Sequence, residues 1–379
     1  MTIGIIGCGT MGAGIAQVAA TYGNKVVVID TNEMTLIQAS QRMTNTIEKL
    51  IAKGKMTEEA GNALLQQITW THQQDALAES NMVIEAIVEN VSIKQALFSS
   101  IETIVNDTCI LASNTSSLSI TSIASACKNP TRVIGIHFFN PAALMELVEI
   151  IPALQTSSET TVRAKSIIDS WNKKTVLAKD TPGFIVNRIA RPFYSEAIRL
   201  YEEGIAGIET IDYALKTFGG FKMGPFELMD LIGHDVNYTV TETVWKSFYY
   251  DSKYTPSFTQ KRLVEACWFG RKSGRGFYDY SENAISQEPN IDVTLCNDIL
   301  LRVLVMLINE AAHALYLNVA SKDDIELAMT KGVNYPKGLL QWANDIGIEN
   351  VINKLDELYN LYHEERYRCS PKLRKTIQF

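Results

Sequence analysis

No two of the six cysteines (Cys8, Cys109, Cys127, Cys267, Cys296, Cys369) form a CxxC pair. That spacing is neither a zinc pattern nor a disulfide framework, and no metal is expected. No apolar run reaches the roughly 18 residues of a membrane span, so no membrane partner is expected. Positive charge is also short: 35 Lys and Arg stand against 42 Asp and Glu, a formal net charge of −7. Broad electrostatic capture of nucleic acid or an anionic bilayer is therefore disfavoured, although one local basic group could still hold a phosphate. The strand-like run Ile3–Ile6 follows Met1 almost at once and leaves no room for a leader, so a cytoplasmic location is the expectation. Histidine is rare as well, with five in 379 residues.

What is present is an ordinary globular balance, 46% hydrophobic and 20% charged, in a chain long enough for two or three domains. Up to about residue 150, short apolar runs alternate with helix-length stretches. The runs are Ile3–Ile6, Lys25–Ile29, Met82–Ile87, Ile110–Ala112 and Val133–Ile136. That alternation predicts βαβ units and a mostly parallel sheet buried on both faces. Near Asp180 the pattern changes: Asp180-Thr181-Pro182-Gly183 is turn chemistry, and almost everything beyond it has helical periodicity.

The helical half repeats itself. Glu196-Ala197 recurs as Glu310-Ala311, an offset of 114 (310 minus 196). The same offset pairs Ala206 with Ala320, Ile211 with Ile325, Ala214 with Ala328, Gly224 with Gly338, and Ile232-Gly233 with Ile346-Gly347. A fixed spacing held over that many sites predicts a duplicated helical module. The fold class expected is an α/β Rossmann-type N-terminal domain followed by two related all-α C-terminal domains. Their ranges are 1–180, 181–285 and 286–379, with a linker around Tyr280–Asp292, where Ser, Asn, Gln, Glu and Pro cluster.

Residues 7–12 read Gly-Cys-Gly-Thr-Met-Gly, after a strand and before the helix-forming Ala13–Gln17. In that context GxGxxG is a dinucleotide loop. Gly7 makes the tight turn, Gly9 lets the backbone approach a pyrophosphate, and Gly12 allows close helix–strand packing, with Thr10 and Met11 between them. The helix N-terminus offers N–H groups and positive dipole to phosphates. The second strand ends in Asp30, which can accept from the adenosine ribose hydroxyls and repel a 2′-phosphate. No arginine follows in Thr31-Asn32-Glu33, so NAD is favoured over NADP.

Three further stretches carry chemistry: Ser113–Leu118, His137–Pro141 and Met145–Ile150. Each is expected at or just beyond the C-terminal end of a strand, where open α/β sheets bind ligands. Oxidising a secondary alcohol needs a base for the hydroxyl proton, and histidine suits it. Of the five, His137 lies in one of these stretches, near an asparagine, Asn140, and upstream of a glutamate, Glu149. A carboxylate can fix its tautomer and stabilise the imidazolium.

With these motifs, the chain resembles the 3-hydroxyacyl-CoA dehydrogenase family over essentially its whole length. The strings are GIIGCGTMGAGIA, EAIVENVSIK, SNTSSLSI, HFFNPAALMELVEI, DTPGFIVNRI, GPFELMDLIG and GRKSGRGFYDY, in the family's order. The resemblance implies an enzyme of fatty-acid β-oxidation that uses NAD on an acyl-coenzyme A substrate, with the S configuration at C3. It implies His137 as general acid/base and Glu149 as its orienting partner, with Ser116 and Asn187 holding the substrate's 3-oxygen in an interdomain cleft. Glu89, Lys94 and Asn140 match positions that contact the nicotinamide half of NAD, and Lys272 a lysine reaching the cofactor from the helical domain. Thr46 and Lys53 fall near the family's coenzyme A contacts, although the family often has serine at the first, and Lys53 reads equally as a solvated surface charge. Shorter members pack one helical domain against its twin in a dimer, so the second copy here implies a monomer through an internal pseudodimer, or else a homodimer. Related dehydrogenases of free acids use a catalytic lysine instead, and the His137/Glu149 pair argues against them. The remaining alternative is a non-catalytic, crystallin-like or redox-sensing NAD binder. Acyl chain length, from hydroxybutyryl to longer or dicarboxylic chains, stays open.

Overall fold

Runs of Ile and Val flanked by Gly, Asn and Asp favour extended backbone, because β-branched side chains are stiff at χ1 and pack well on a pleated surface. In the computed structural model, which describes residues 1–285 and 287–379, these runs form one sheet. Its strands are β1 (Thr2–Ile6), β2 (Lys25–Ile29), β3 (Ile68–Thr71), β4 (Met82–Glu85), β5 (Ile110–Ser113), β6 (Val133–Phe138), β7 (Leu147–Pro152) and β8 (Lys174–Leu177). The order is β3-β2-β1-β4-β5-β6-β7-β8. All neighbours are parallel except β6 and β7, which run antiparallel. Strands β4, β5 and β6 are buried along their whole length, as expected of a sheet covered on both faces. The strand order reverses at β1, so the crevice beyond the C-terminal ends of β1 and β4 is the place for a ligand.

Differences from expectation have local causes. The run expected to reach Ile87 stops at Glu85, whose carboxylate turns back to accept the Ile87 N–H at 2.7 Å. Strand β7 covers most of the stretch expected to lie beyond a strand end, and His137 lies inside β6. These two candidate residues are therefore held by a strand pair rather than by loops. Strands β3 and β8 have no counterpart in the expected set. Asp180 does more than turn the chain: it accepts from Ser119 Oγ at 3.0 Å and from the N–H groups of Ile120 and Thr121 at 3.1 and 2.7 Å, capping helix Ile120–Ala124.

The chain packs as two compact units, Met1–Thr181 and Pro182–Phe379. Among its described residues the second unit holds helices, turns and two isolated bridges, and both helical repeats lie within it. The repeats share a core because they exchange ion pairs. Arg188 Nε donates to Glu310 Oε1 at 2.6 Å, and Arg302 Nε donates to Glu196 Oε1 at 2.6 Å. Arg188 and Arg302 obey the same offset as Glu196 and Glu310, so each copy gives its arginine to the other's glutamate. Such reciprocity is the mark of a two-fold, here within one chain. The offset holds in detail. Asp212 accepts the N–H groups of Phe226 and Glu227, and Glu326 those of Leu340 and Gln341. The expected linker Tyr280–Asp292 falls between the last bridge of the first copy and helix Val293–Tyr316; its Ser286, where the second copy was expected to begin, lies outside the described residues.

One expectation needs correcting. Helix Val293–Tyr316 is long and apolar enough, by length and composition, to cross a membrane. Arg302, Asn309 and Glu310 interrupt its apolar run, which hid it from a search for unbroken stretches. Most of its apolar window, 72%, is buried inside the protein, and those three polar residues are buried with partners, so it is the core helix of the second unit.

Candidate active site

Gly7 adopts φ +94°, where a side chain would meet the Ala86 carbonyl at 2.6 Å, and a Cβ on Gly12 would overlap the Gly7 carbonyl oxygen. Only glycine can follow this path. A Cβ on Gly9 would meet nothing within 4 Å, so open space lies over the loop where helix Thr10–Thr21 begins, with no acidic residue in its first turn. Thr10 is exposed and Met11 half-buried there. Asp30 is tied to the same loop: its Oδ2 accepts the Cys8 N–H at 3.0 Å and its Oδ1 the Asn32 N–H at 3.1 Å. Burial would raise this carboxyl, but the two backbone N–H groups outweigh it and hold the pKa below the usual value, so Asp30 is an anion. Burial, with the Asp30 hydrogen bond and charge added, pushes the Cys8 thiol up to about 12, and that cysteine stays protonated.

On the antiparallel pair β6–β7, His137 stands directly opposite Glu149. Nδ1 lies 2.7 Å from Glu149 Oε2, with the carboxylate fully buried and the imidazole 6% exposed. A carboxylate oxygen accepts, so opposite Glu149 the donor is an Nδ1–H, the tautomer in which a neutral ring has its acceptor at Nε2. The ring of Phe139 packs at 4.5 Å from the imidazole. Asn114 Oδ1 accepts the Phe138 N–H at 2.8 Å and ties the end of β6 to the loop after β5.

That loop is organised by Glu89. Its Oε1 accepts from Thr115 Oγ1 at 2.5 Å, Ser117 Oγ at 3.0 Å and the Ser116 N–H at 3.1 Å. Burial raises the Glu89 carboxyl, and the Thr115 hydroxyl and the Lys94 charge more than reverse this, so its pKa falls below the usual range. Lys94 is 1% exposed, with Nζ 2.5 Å from Glu85 and 3.4 Å from Glu89. Asn140 is exposed just past β6. Thus Glu89, Lys94, Ser116, His137 and Glu149 gather at one edge of the first unit. Among the described residues no group of three His, Cys, Asp or Glu could hold a metal ion.

Comparison with known proteins identifies the family. Residues 2–181 match the family described as "3-hydroxyacyl-CoA dehydrogenase, NAD binding domain", and residues 183–280 and 299–379 match its C-terminal domain. The chain belongs to the 3-hydroxyacyl-CoA dehydrogenase family. It is 36% identical to the 3-hydroxyadipyl-CoA dehydrogenase of Escherichia coli K12, over 99% of this chain and 97% of that one. It is 41% identical to the human mitochondrial hydroxyacyl-coenzyme A dehydrogenase, over 73% of this chain and 90% of that one. Among solved structures, an E. coli 3-hydroxybutyryl-CoA dehydrogenase superposes with a TM-score of 0.93 at 34% identity, covering 99% of this chain and 98% of that one. The match of the C-terminal family domain to two segments agrees with the internal repeat. As a member of this family the protein is an NAD-dependent oxidoreductase, and the open, glycine-lined loop with its anchored Asp30 fits that cofactor.

Four further candidate residues of this dehydrogenase stand on other elements. Thr46 and Lys53 are exposed on helix Glu33–Ala52 and at its C-cap; the Thr46 hydroxyl donates to the Arg42 carbonyl at 2.8 Å. In the second unit Asn187 is half-buried in the short helix Val186–Ile189. Lys272 is exposed and bound to both oxygens of Asp235, at 2.5 and 2.6 Å. Sequence reasoning passed over Asn114, Glu85 and Thr115, the residues that brace the loop. Asn114 and Thr115 lie inside the motif that gave Ser116, and a polar residue at the C-terminal end of each of two buried strands, Glu85 and Ser113, was the signal available.

Proposed function

We propose that the enzyme catalyses the reversible, NAD-dependent oxidation of (S)-3-hydroxyacyl-CoA thioesters with His137 as general acid/base. The 2.7 Å contact between His137 Nδ1 and the fully buried Glu149 carries this reading. When bound, NAD supplies the acceptor for the hydride that leaves C3. Nε2 of His137 takes the 3-hydroxyl proton, and Glu149 stabilises the imidazolium that results and fixes the ring's orientation. In the reverse direction the imidazolium returns the proton to the 3-oxygen. Ser116 and Asn187 hold that oxygen by hydrogen bonds. The Ser116 N–H on Glu89 supports this role, because it fixes the serine's backbone.

Gly7, Gly9, Thr10, Met11 and Gly12 form the phosphate loop, and Asp30 takes the adenosine ribose, selecting NAD over NADP. Glu89 and Asn140 line the nicotinamide half. The burial of Lys94 between Glu85 and Glu89 favours a positioning role for it, behind Glu89. Lys272 serves the cofactor from the helical unit, and Thr46 and Lys53 offer the coenzyme A contacts, where their exposure suits a long, solvated ligand. The crossed ion pairs favour a monomer whose second repeat replaces a partner subunit. The names of the relatives include hydroxyadipyl, hydroxybutyryl and unspecified hydroxyacyl thioesters.

The deciding assay follows NADH absorbance at 340 nm with acetoacetyl-CoA, repeated with NADPH. Consumption of NADH but not NADPH is expected. His137→Gln should lower kcat by about 10² to 10⁴, the usual worth of general acid–base catalysis, while NADH still binds. A variant with near-normal kcat would remove His137 from the mechanism, and a wild type inert towards every chain length would favour a non-catalytic NAD binder.

A further inference from the structure

A buried guanidinium needs a counter-charge, and every other buried arginine of the helical unit's core has one: Arg188 has Glu310, Arg302 has Glu196 and Glu203, and Arg366 has Glu364. Arg191 has none. It is 7% exposed and makes no ion pair with any described residue. Its Nε donates to the Asn187 carbonyl at 3.0 Å and its Nη1 to Thr241 Oγ1 at 3.1 Å, while Nη2 donates to no described residue. The Tyr194 ring lies 4.9 Å beneath the guanidinium carbon. Tyr335 packs against the same Phe193 ring as Tyr194, at 5.8 and 5.6 Å between centroids; it is 5% exposed, and its hydroxyl has no hydrogen-bond partner among the described residues. The Tyr194 hydroxyl, also buried, has none recorded among the described residues either. Burial with no carboxylate nearby holds Arg191 below the ordinary arginine range. A desolvated cation with unused donors around it is costly to keep, and an incoming anion would relieve that cost.

The position of this cluster says what kind of anion. Arg191 is four residues beyond Asn187, the residue assigned to the substrate's 3-oxygen, and grips that residue's carbonyl. Asn187 lies in the short helix Val186–Ile189 and Arg191 opens the next, Arg191–Glu202. Four residues at the helical rise are about 6 Å of backbone, of the order of a spacer of a few methylenes from C3.

We propose that Arg191, with Tyr194 and Tyr335, is the subsite for the distal carboxylate of a short dicarboxylic 3-hydroxyacyl-CoA, so that the preferred substrate carries a second acid group at the end of its acyl chain. This rests on the catalytic reading above. The planar fork of arginine suits a bidentate carboxylate, and a methyl terminus would leave the cation unpaired. Discrimination is strong when a site's buried polar groups would otherwise go unmatched.

The test compares kcat/KM for 3-hydroxyadipyl-CoA and 3-hydroxybutyryl-CoA, read by NADH formation. Wild type should favour the diacid by at least about tenfold, and Arg191→Gln should bring the ratio to about one or below, as loss of a charge-assisted hydrogen-bonded pair predicts. Arg191→Lys should retain part of the preference, and Tyr335→Phe, which removes one hydroxyl, should lower it severalfold. If the arginine variants do not fold, wild type alone still decides: adipoyl-CoA should bind more tightly than hexanoyl-CoA, by thermal shift or by competitive inhibition. Equal binding of those two, or a specificity ratio that the variants leave unchanged, overturns the proposal. If neither hydroxyacyl thioester is oxidised, the catalytic reading fails, and the adipoyl against hexanoyl comparison still judges the Arg191 subsite.

Discussion

Glu310 shows how a single charge is made tolerable inside this protein. It is fully buried, yet it receives Arg188 Nε at 2.6 Å, the Tyr254 hydroxyl at 2.7 Å and the Lys253 ammonium. Burial alone would raise its carboxyl; Lys253 and Arg188 reverse this and depress it to about 2. The same Lys253 lies 3.3 Å from His313 Nδ1, and burial together with that positive neighbour lowers the imidazole from 6.5 to about 4. His313 is therefore neutral in the native state at a pH where the unfolded chain already binds a proton. Between about pH 6.5 and 4 the unfolded state holds more protons, so stability falls as pH falls, by up to about 1.4 kcal/mol per pH unit. Glu310 extends the loss from about 4.5 towards 2. Urea titrations of wild type and His313→Asn over the upper window should show a shallower pH dependence in the variant, by about one proton. Identical slopes would mean that acid lability comes from elsewhere.

At the scale of elements, the legible parts were those whose residues answer to one local rule. Strand β2 was expected at Lys25–Ile29 and lies there, because an unbroken Val/Ile run has few alternatives. The glycine loop was legible for the same reason. Strand β3 is only four residues long with one buried residue, and β8 is an edge strand with Lys at its start and two buried residues, so neither stands out from a helix segment. The facing of His137 and Glu149 could not be read from their spacing, since a gap of 12 residues becomes a contact only once β6 and β7 pair antiparallel in this register. The turn from β1 into helix Thr10–Thr21 gives a sharp test. A Cβ on Gly12 has backbone, not a movable side chain, in its way. Gly12→Ala should therefore weaken NADH binding by about tenfold or more, through displacement of the helix N-terminus that meets the phosphates. Fluorescence titration of NADH would measure it, with circular dichroism to verify folding; an unchanged Kd would show that the turn can relax.

For the whole molecule, the duplication was legible where both copies kept the same letter and hidden where they kept only the chemistry. Asp212 and Glu326 occupy equivalent places and accept equivalent N–H groups, yet differ in letter. Tyr254 and Tyr367, which donate to Glu310 and Glu196, miss the offset by one residue. The copies have also diverged in how each buried glutamate is served. Glu310 keeps Lys253 and Tyr254 if Arg188 is lost, whereas among the described residues Glu196 would keep only the Tyr367 hydroxyl if Arg302 were lost. Arg302 in turn keeps both oxygens of Glu203 if Glu196 is removed. Two arginines in equivalent positions should thus differ in worth. Arg302→Met should cost about 3–5 kcal/mol, because it strands an almost fully buried carboxylate, and Arg188→Met should cost less. Glu196→Met should also cost less than Arg302→Met. The double variant Arg302→Met/Glu196→Met should recover much of the loss, because neither partner is then left buried and alone. Urea denaturation of the four proteins gives the cycle. If the two arginine variants are equally destabilised and the double variant recovers nothing, the crossed pairs are not what binds the two copies into one unit, and the apolar packing around helix Val293–Tyr316 must hold them by itself.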